Sequence, residues 1–411
     1  MPKNKRPVPR KANDTPEDKD DAVTQSLCDL ALDLVEQEDS ASESEALRLK
    51  EVEFQRLIRK NLNQKKDEVL YESIERAKYE DVGAYQFLRS HIEEAASTVL
   101  IRREGAPTME INAFVVPLFV HSTGGLVEEQ GFQDQAAFEL LVKSFQQEGL
   151  ESPKAKVVLM NHAYDLGEID SITYSHLNEM VRDAWAAMTD KKVQATPALD
   201  RSVGGWSANT FGAQDTAMEL RFLLGFALKR EDDPFYQPPE GEEAADAWFA
   251  ARMARYQKWT VQVAPLLRRC LAGPDAELDI NFLYQDLFHG GKEQGMAEYA
   301  MLQMMSEINA ALEQHQVAPE HVTAVVGPAD VRDNMVLRVK LYRSAGGAAL
   351  CSSEKPLDLA ADLEIEVDDI CDALGTLGVT ALAVALKFDV YGEPVEQRPY
   401  PARAAAGDDA L

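Results

Sequence analysis

Cysteine is scarce in this sequence and follows no regular pattern. The four cysteines, Cys28, Cys270, Cys351 and Cys371, are widely separated along 411 residues. None belongs to a CxxC pair, and none has a histidine at the short spacing of a zinc site, so neither a zinc site nor a disulfide framework is indicated. Isolated cysteines are typical of reducing compartments. We therefore predict a cytoplasmic protein without a metal site.

Positive charge is also in short supply. The chain has 42 Lys and Arg residues against 70 Asp and Glu residues, which gives a formal net charge of −28. A surface this acidic repels the phosphate backbone of DNA or RNA, so we expect no nucleic-acid partner. The simplest role for the excess charge is solubility.

Long apolar runs are absent as well. The longest, 113–120 and 379–386, have the length of a strand, whereas a membrane helix needs about 20 apolar residues. We therefore expect no membrane insertion. The basic and then acidic segment 1–20 has no apolar stretch, so it is predicted to be a disordered leader; a localisation signal or a docking arm for anions is the alternative.

The sequence lacks the motifs of the common catalytic and cofactor-binding sites. It contains no GxxxxGK[ST] phosphate loop, no strand-GxGxxG-helix unit, no HExxH and no GxSxG. We therefore expect no cofactor and favour a protein that is not an enzyme.

Hydrophobic periodicity divides the remaining chain into three regions. Residues 21–108 read as helices, which are expected to pack on the main body, with docking of a partner as the alternative. Residues 109–270 are predicted as a first α/β sandwich unit with an extra leading strand and helix, and residues 271–395 as a second unit. The segment 396–411 is predicted to be a disordered tail.

A short repeat suggests that the two units share one plan. "MELRFLL" at 218–224 and "MVLRVKL" at 335–341 both read Met-x-Leu-Arg-x-x-Leu. Each unit shows the order β-α-β-β-α-β, with "WTVQVAPLL" at 259–267 as the last strand of the first unit. The predicted fold class is therefore α+β: two tandem ferredoxin-like (βαββαβ) sandwich units preceded by an α-helical N-terminal region. Chance likeness between two short strands is the alternative.

The segment 84–125, "AYQFLRSHIEEAASTVLIRREGAPTMEINAFVVPLFVHSTGG", combines a helix with a Glu-Ala-Ala run and a strand with a central proline. In this it resembles an uncharacterised family of β-proteobacterial proteins that is known only as a domain of unknown function. The resemblance implies a bacterial protein of the same fold and compartment. It implies no mechanism, because the family has no assigned activity.

Two loops at predicted strand ends combine histidine, aspartate and glycine. Asp286, His289, Gly290 and Gly291 lie in "YQDLFHGGKE", where an aspartate could orient the histidine and the glycines could let a ligand approach the backbone. The equivalent loop of the first unit, "MNHAYDLGE", contains His162 and Asp165. These six residues are the candidate ligand-binding site. Ordinary turn and cap residues are the alternative.

Two further groups have simpler explanations. "HSTGG" at 121–125 could pair His121 with a hydroxyl nucleophile, but a turn accounts for it. Large aromatic side chains are frequent in 235–259, where they could line a groove between the units, although burial in the core accounts for them.

These observations leave three functions open. The first is a non-catalytic cytoplasmic regulatory protein that contacts a protein partner or a second copy of itself. The second is a sensory module that binds a small metabolite between the two units, near His162 and His289. The third is an enzyme that uses the Asp286/His289 pair.

Overall fold

The computed structural model describes residues 16–38, 45–122, 126–128, 132, 134–189, 209–211, 218–272, 277–332, 334–359 and 361–400. The described chain is a mixed α/β protein. It forms two compact units, which divide between Lys292 and Glu293.

The first unit begins with helices and continues with mixed elements. Its helices are α1 (Pro16–Glu38), α2 (Glu45–Asn63), α3 (Asp67–Glu80), α4 (Val82–Ser97), α5 (Gln135–Gln147), α6 (Leu166–Asp170), α7 (Tyr174–Thr189) and α8 (Glu242–Leu271). Its strands are β1 (Thr98–Ile101), β2 (Met109–Ser122), β3 (Leu126–Glu128), β4 (Lys156–Asp165), β5 (Asn209–Phe211), β6 (Met218–Arg230), β7 (Leu278–Phe282) and β8 (Asp286–Leu287). A 3-10 turn occupies Pro234–Tyr236.

Helix α9 (Phe288–His315) contains the boundary between the units. After it come a 3-10 turn (Pro319–His321), β9 (Val322–Val331), β10 (Asn334–Arg343), β11 (Ala349–Pro356), α10 (Leu363–Thr376), β12 (Ala381–Val384), β13 (Lys387–Phe388), β14 (Pro394–Val395) and β15 (Arg398–Pro399).

An antiparallel sheet built on β2 organises the first unit. Strand β6 pairs along one edge of β2 and in turn pairs with β4. On the other edge of β2, β1, β8 and β7 pair with successive stretches. That edge is therefore assembled from separate segments, and a gap in the pairing is left around Ala113.

Strand β2 is buried on both faces. Phe114, Val116 and Leu118 lie in the core that α5 and α8 cover, while the alternate residues face the side of α4 and α7. Two-sided burial explains why the strand reads as a continuous apolar run and not as an alternation. The Phe114 ring also explains Gly225 on β6, because a Cβ atom there would lie 2.4 Å from the ring.

The N-terminal helices α1–α4 form a layer that packs on α7. Polar contacts fix this layer: Asp67 of α3 accepts hydrogen bonds from the Ser175 backbone N–H and the Thr173 hydroxyl, at 2.8 and 3.0 Å. The Asn178 amide of α7 donates to the Ala95 carbonyl of α4 at 2.9 Å. The helical region therefore covers one face of the unit.

The strand predicted at 259–267 is wrong, because these residues lie within α8. The buried residues Tyr256, Trp259, Val263, Leu267 and Cys270 recur at helical spacing and form the buried side of this helix. Val261, which the strand interpretation treated as part of an apolar run, is 76% exposed. The helical spacing of the buried residues along α8 outweighs the β-propensity of the segment 259–267.

The second unit is a five-stranded sheet covered on one face by helices. The strand order is β11-β10-β9-β12-β15, and β12 is parallel to β9 while the other pairs are antiparallel. Its larger core joins Ile308 of α9 and Ile370 of α10 to alternate residues of the sheet. On the opposite face, Phe388 of β13 is buried in a smaller cluster.

The structure does not confirm tandem ferredoxin-like repeats. Both repeated heptapeptides do lie on central strands, with Arg221 on β6 and Arg338 on β10. However, β6 lies between helices α7 and α8 in the chain, whereas β10 is the middle strand of a β9-β10-β11 meander. The likeness is therefore limited to one strand in each unit, and the burial of the two strands differs, since β6 is buried continuously and β10 alternately.

The predicted termini differ partly from the structure. Helix α1 begins at Pro16, inside the predicted leader, and β15 lies inside the predicted tail. Tyr400 holds this tail segment, since its hydroxyl donates to Asp368 at 2.7 Å and its N–H donates to the Leu382 carbonyl. Residues 1–15 and 401–411 lie outside the described residues.

Within the described ranges, no helix combines the length and the apolar character that a bilayer crossing requires.

Candidate functional site

The first predicted loop forms a capping box at the start of α6. The Asp165 carboxylate accepts from the Glu168 N–H at 2.8 Å, and the Glu168 carboxylate accepts from the Asp165 N–H at 2.9 Å. Glu168 also lies 2.8 Å from Nε2 of the buried His162. The carboxylate that contacts this histidine is therefore Glu168, and Asp165 is a helix cap.

The same corner contains a buried cation, Arg221. Its guanidinium lies 2.7 Å from Glu219 and 3.8 Å from Asp165. Burial would raise the pKa of Glu168, but its hydrogen bonds to His162 and to the Asp165 N–H, with the charge of Arg221, lower it. This network of charges ties β4 and β6 to α6.

The second predicted loop leads into α9 at the edge of the sheet. Asp286 is exposed on β8, and its carboxylate accepts from the Leu287 N–H. A Cβ atom at Gly290 would lie 2.5 Å from this carboxylate, and one at Gly291 would lie 2.5 Å from the Val115 side chain. The two glycines thus let the start of α9 pack closely on β8 and β2.

His289 is half-buried beside this junction, with its Nε2 shielded from solvent. Its ring lies 5.4 Å from the Tyr174 ring, and its Nδ1 lies 3.9 Å from Glu93. Burial, with the positive charges of Lys292 and Arg89, lowers the pKa of His289 to about 3. The imidazole is therefore neutral at physiological pH. His162 and His289 both belong to the first unit, and the contacts described for them involve different residues.

The remaining predicted motif, "HSTGG", begins at the end of β2. His121 and Ser122 pair with β7 in the sheet, whereas Thr123, Gly124 and Gly125 lie outside the described residues.

A polar cavity of about 130 Å³ lies in the first unit, next to the gap in the edge of β2. Its lining comes from β2, from the turn after α5, from β6, from the 3-10 turn, from α8 and from the break between β7 and β8. Asp286 lines it and is the predicted site residue that belongs to it. Because Asp286 and Leu287 are both exposed, the cavity reaches the surface.

Glu151 supplies a buried carboxylate to the cavity. It is 5% exposed and accepts hydrogen bonds from the Tyr236 hydroxyl at 2.7 Å and the Gln285 amide at 3.1 Å. Burial and the charge of Glu151 raise the pKa of Tyr236, so the hydroxyl stays protonated and donates. Both donors are neutral, and no cation of the described residues forms an ion pair with Glu151.

Asn112 supplies a second acceptor. It lines the cavity from β2 and is 5% exposed, and its Oδ1 has no hydrogen-bond donor among the described residues. A buried acceptor without a donor costs about 1–3 kcal/mol. A donor inside the cavity would remove that cost.

Three cations line the same cavity. Lys229 is matched by Glu110, its direct partner across β2 and β6, at 3.2 Å. Arg252 lies over the Trp248 and Phe235 rings at 4.9 and 5.9 Å.

The third cation, Arg255, donates from Nε to the Gly149 carbonyl at 3.2 Å. Within the described part of the chain, neither Arg252 nor Arg255 has a carboxylate within ion-pair distance. The cavity is therefore lined by acceptors and cations that do not pair with one another.

Aromatic side chains border the arginines. Phe249 on α8 is 57% exposed, and Trp248, which contacts Arg252, packs edge-on against Phe249. Tyr236 lines the cavity, whereas Trp259 is buried in the core, so the aromatic residues of 235–259 divide between core and surface.

Sequence reasoning missed Glu151, Asn112, Arg252 and Arg255 as residues of this cavity, whereas Tyr236 belongs to the aromatic group that it considered for a groove. Asn112, Glu151 and the Arg252/Arg255 pair of α8 come from three separate segments, and no spacing in the sequence joins all of them. Glu168, by contrast, could have been found, because Asp165-x-x-Glu168 has the spacing of a capping box.

The described residues contain no group of three or more His, Cys, Asp or Glu side chains arranged to hold a metal ion. Comparison with known proteins yields no matching family model, no matching curated protein and no matching solved structure.

Proposed function

We propose that this chain is a non-catalytic regulatory protein of the cytoplasm, which binds a small polar ligand in the Glu151 cavity of its first unit. One observation carries the proposal. Glu151, Asn112, Arg252 and Arg255 all line a small cavity, and among the described residues no hydrogen bond or ion pair joins the two arginines to the two acceptors. Buried polar groups are normally satisfied, so such a set is expected where a ligand completes it.

The state of the lining groups supports binding without catalysis. Burial raises the pKa of Tyr256, and its hydroxyl donates to the Leu283 carbonyl. Tyr236 is likewise held as a donor to Glu151. Hydroxyls that remain protonated and engaged in hydrogen bonds orient a ligand, whereas proton transfer needs a group whose pKa lies near the working pH.

The cysteines support the proposed compartment. All four are free thiols. Burial raises the pKa of Cys28 to about 11 and that of Cys371 to about 12, which keeps both thiols protonated and unreactive. Such thiols suit a reducing cytoplasm.

Glu151→Gln should abolish stabilisation by the ligand. A ligand at 100 times its Kd stabilises the wild type by about 2.7 kcal/mol, and we expect the variant to lose most of this because the amide carries no charge. Thermal unfolding against a panel of small polar metabolites measures the effect. The matched control is Glu139→Gln on the exposed side of α5, which should respond like the wild type.

The proposed function is contradicted if no compound in the panel stabilises the wild type. It is also contradicted if every stabilising compound acts equally on Glu151→Gln. The ligand-free variant must unfold at the same temperature as the ligand-free wild type. Any loss of the response to ligand then reflects a loss of binding.

A second candidate function, contact with a protein partner, is favoured by the turn between β13 and β14. Val390 and Tyr391 at its tip are 94% and 86% exposed. The turn is nevertheless ordered, because Asp389 accepts from the N–H groups of Tyr391 and Glu393, at 2.9 and 2.8 Å. Lys340 pairs with Glu393 at 3.1 Å and holds the turn to the sheet. A rigid turn that presents a tyrosine is typical of an interface hot spot.

Replacing Val390 and Tyr391 by serine should leave stability within about 0.5 kcal/mol of the wild type, because the side chains are exposed. We expect the same double variant to lose partner contact. A photo-crosslinking residue at position 391 should give a discrete adduct in the native cytosol, and one at the exposed Tyr79 of α3 should not. Identical adducts from both positions would argue against this interface.

A further inference from the structure

The charges that line the Glu151 cavity are of both signs and indicate the class of its ligand, and this inference rests on the function proposed above. A cation alone would satisfy Glu151 but would be repelled by Arg252 and Arg255. An anion alone would satisfy the arginines but would be repelled by Glu151. All three side chains line the one cavity of about 130 Å³.

The two acceptors in the cavity, Glu151 and Asn112, suit an ammonium group. The Glu151 carboxylate has capacity for more than the two neutral donors it receives, from Tyr236 and Gln285. The Asn112 Oδ1, which has no donor among the described residues, adds another acceptor. An ammonium group has three N–H donors and one positive charge, so it can serve both side chains and neutralise the buried carboxylate.

The two arginines in the cavity, Arg252 and Arg255, suit a carboxylate. Each guanidinium has five N–H donors in a fixed plane, and Arg255 uses its Nε for the Gly149 carbonyl. Arg252 is held in place by the Trp248 ring, which orients the guanidinium without consuming its hydrogen-bonding capacity. Guanidinium groups bind carboxylates with paired hydrogen bonds.

The volume of the cavity suits a small ligand. Since water occupies about 30 Å³ per molecule in the liquid, a cavity of about 130 Å³ corresponds to roughly four waters. A ligand of five to seven heavy atoms is of this order.

We propose that the cavity binds a small zwitterion that carries an ammonium and a carboxylate group, namely an α-amino acid of the size of glycine, alanine or serine. Its ammonium contacts Glu151 and Asn112, and its carboxylate contacts Arg252 and Arg255. Lys229 takes no direct part, because Glu110 neutralises it.

Isothermal titration of the full chain at pH 7 tests the ligand class. The probes are glycine, L-alanine and L-serine, compared with propionate, which lacks the amino group of alanine, and ethylamine, which lacks its carboxylate. We expect at least one amino acid to bind. We also expect propionate and ethylamine to bind at least tenfold more weakly than alanine, because each leaves the cavity charge of one sign unmatched.

Two variants, one at an acceptor and one at an arginine of the cavity, make the test independent of a single fold defect. Glu151→Gln and Arg252→Gln should each weaken amino-acid binding at least tenfold. Arg252 is half-exposed on α8, so its replacement is expected to leave the fold intact. Amino-acid binding that survives both substitutions would overturn the assignment.

The outcomes of these experiments distinguish a failure of the zwitterion assignment from a failure of the proposed small-ligand function. If propionate or ethylamine binds as tightly as alanine, the zwitterion assignment fails while a small-ligand site stands. The zwitterion assignment also fails, and the small-ligand site also stands, if the amino acids do not bind but another metabolite stabilises the protein in a Glu151-dependent manner. If no small polar compound binds, both fail.

Discussion

Trp259→Ala should cost the protein roughly 3–5 kcal/mol of its free energy of unfolding, which is typical for truncation of a large buried aromatic residue. Trp259 has no exposed surface, and its ring lies 5.0 Å from Phe145, 5.3 Å from Tyr256 and 5.6 Å from Phe282. Its Nε1 also donates to the Ser144 hydroxyl at 2.7 Å. The variant loses these contacts together and leaves a cavity between α5 and α8.

Urea unfolding followed by circular dichroism measures this effect, and Trp248→Ala is the matched control. Trp248 is half-buried on the same helix and contributes mainly its contacts with Arg252 and Phe249. We expect the control to lose about 1 kcal/mol or less. Since a domain is stable by about 5–15 kcal/mol, Trp259→Ala could leave the first unit barely folded. Equal and small losses in both variants would show that α8 does not carry the core.

Mild acid should destabilise the protein through His289. The pKa of this histidine is about 3 in the folded state, against 6.5 as the ordinary value. Between these two values the unfolded chain takes up a proton that the folded chain refuses, so stability falls as the pH decreases from 6.5 towards 3. At pH 5 the loss is about 2 kcal/mol, since each pH unit below 6.5 contributes about 1.4 kcal/mol.

His289→Phe should remove this part of the pH dependence. Phenylalanine retains the stacking on Tyr174 and cannot be protonated, and Nε2 of His289 has no hydrogen-bond partner among the described residues to lose. The change in unfolding free energy between pH 7 and pH 5 is compared for both proteins, with His315→Phe at an exposed position as the control. A wild-type loss that His289→Phe does not reduce would mean that other groups cause the acid sensitivity.

Periodicity was sufficient for the elements with an uninterrupted pattern. In β4 (Lys156–Asp165) the buried residues form a continuous run, and in α7 (Tyr174–Thr189) they recur at helical spacing. Both "MELRFLL" and "MVLRVKL" lie on strands. These segments are buried on a consistent face, and burial is what the hydrophobic pattern records.

Hydrophobic periodicity was insufficient to assign secondary structure where the propensity of a short segment disagreed with the spacing of apolar residues over a longer one. In 259–267, β-branched residues favoured a strand, while Trp259, Val263 and Leu267 followed the period of a helix that had begun at Glu242. The order of elements was also insufficient for topology. Nothing in the sequence specified that β1, β8 and β7 would share one edge of β2, because pairing of distant segments depends on the packed core.

The residues of the candidate site were even harder to predict from the sequence. The predicted loops combine His, Asp and Gly within a few residues, and the structure uses much of that chemistry for a capping box and for close packing of α9. The cavity instead joins Asn112, Glu151, Tyr236, Arg252 and Gln285, which are separated by up to 173 positions in the chain. Only tertiary packing brings these residues together.

A crystal structure of the protein grown with saturating L-alanine would test the ligand site most directly. We expect density for one alanine in the cavity, with its ammonium nitrogen about 2.7–3.2 Å from the Glu151 carboxylate and from the Asn112 Oδ1. Its carboxylate should contact Arg252 and Arg255. A cavity that contains only water, or one in which an arginine pairs directly with Glu151, would contradict the proposed ligand site.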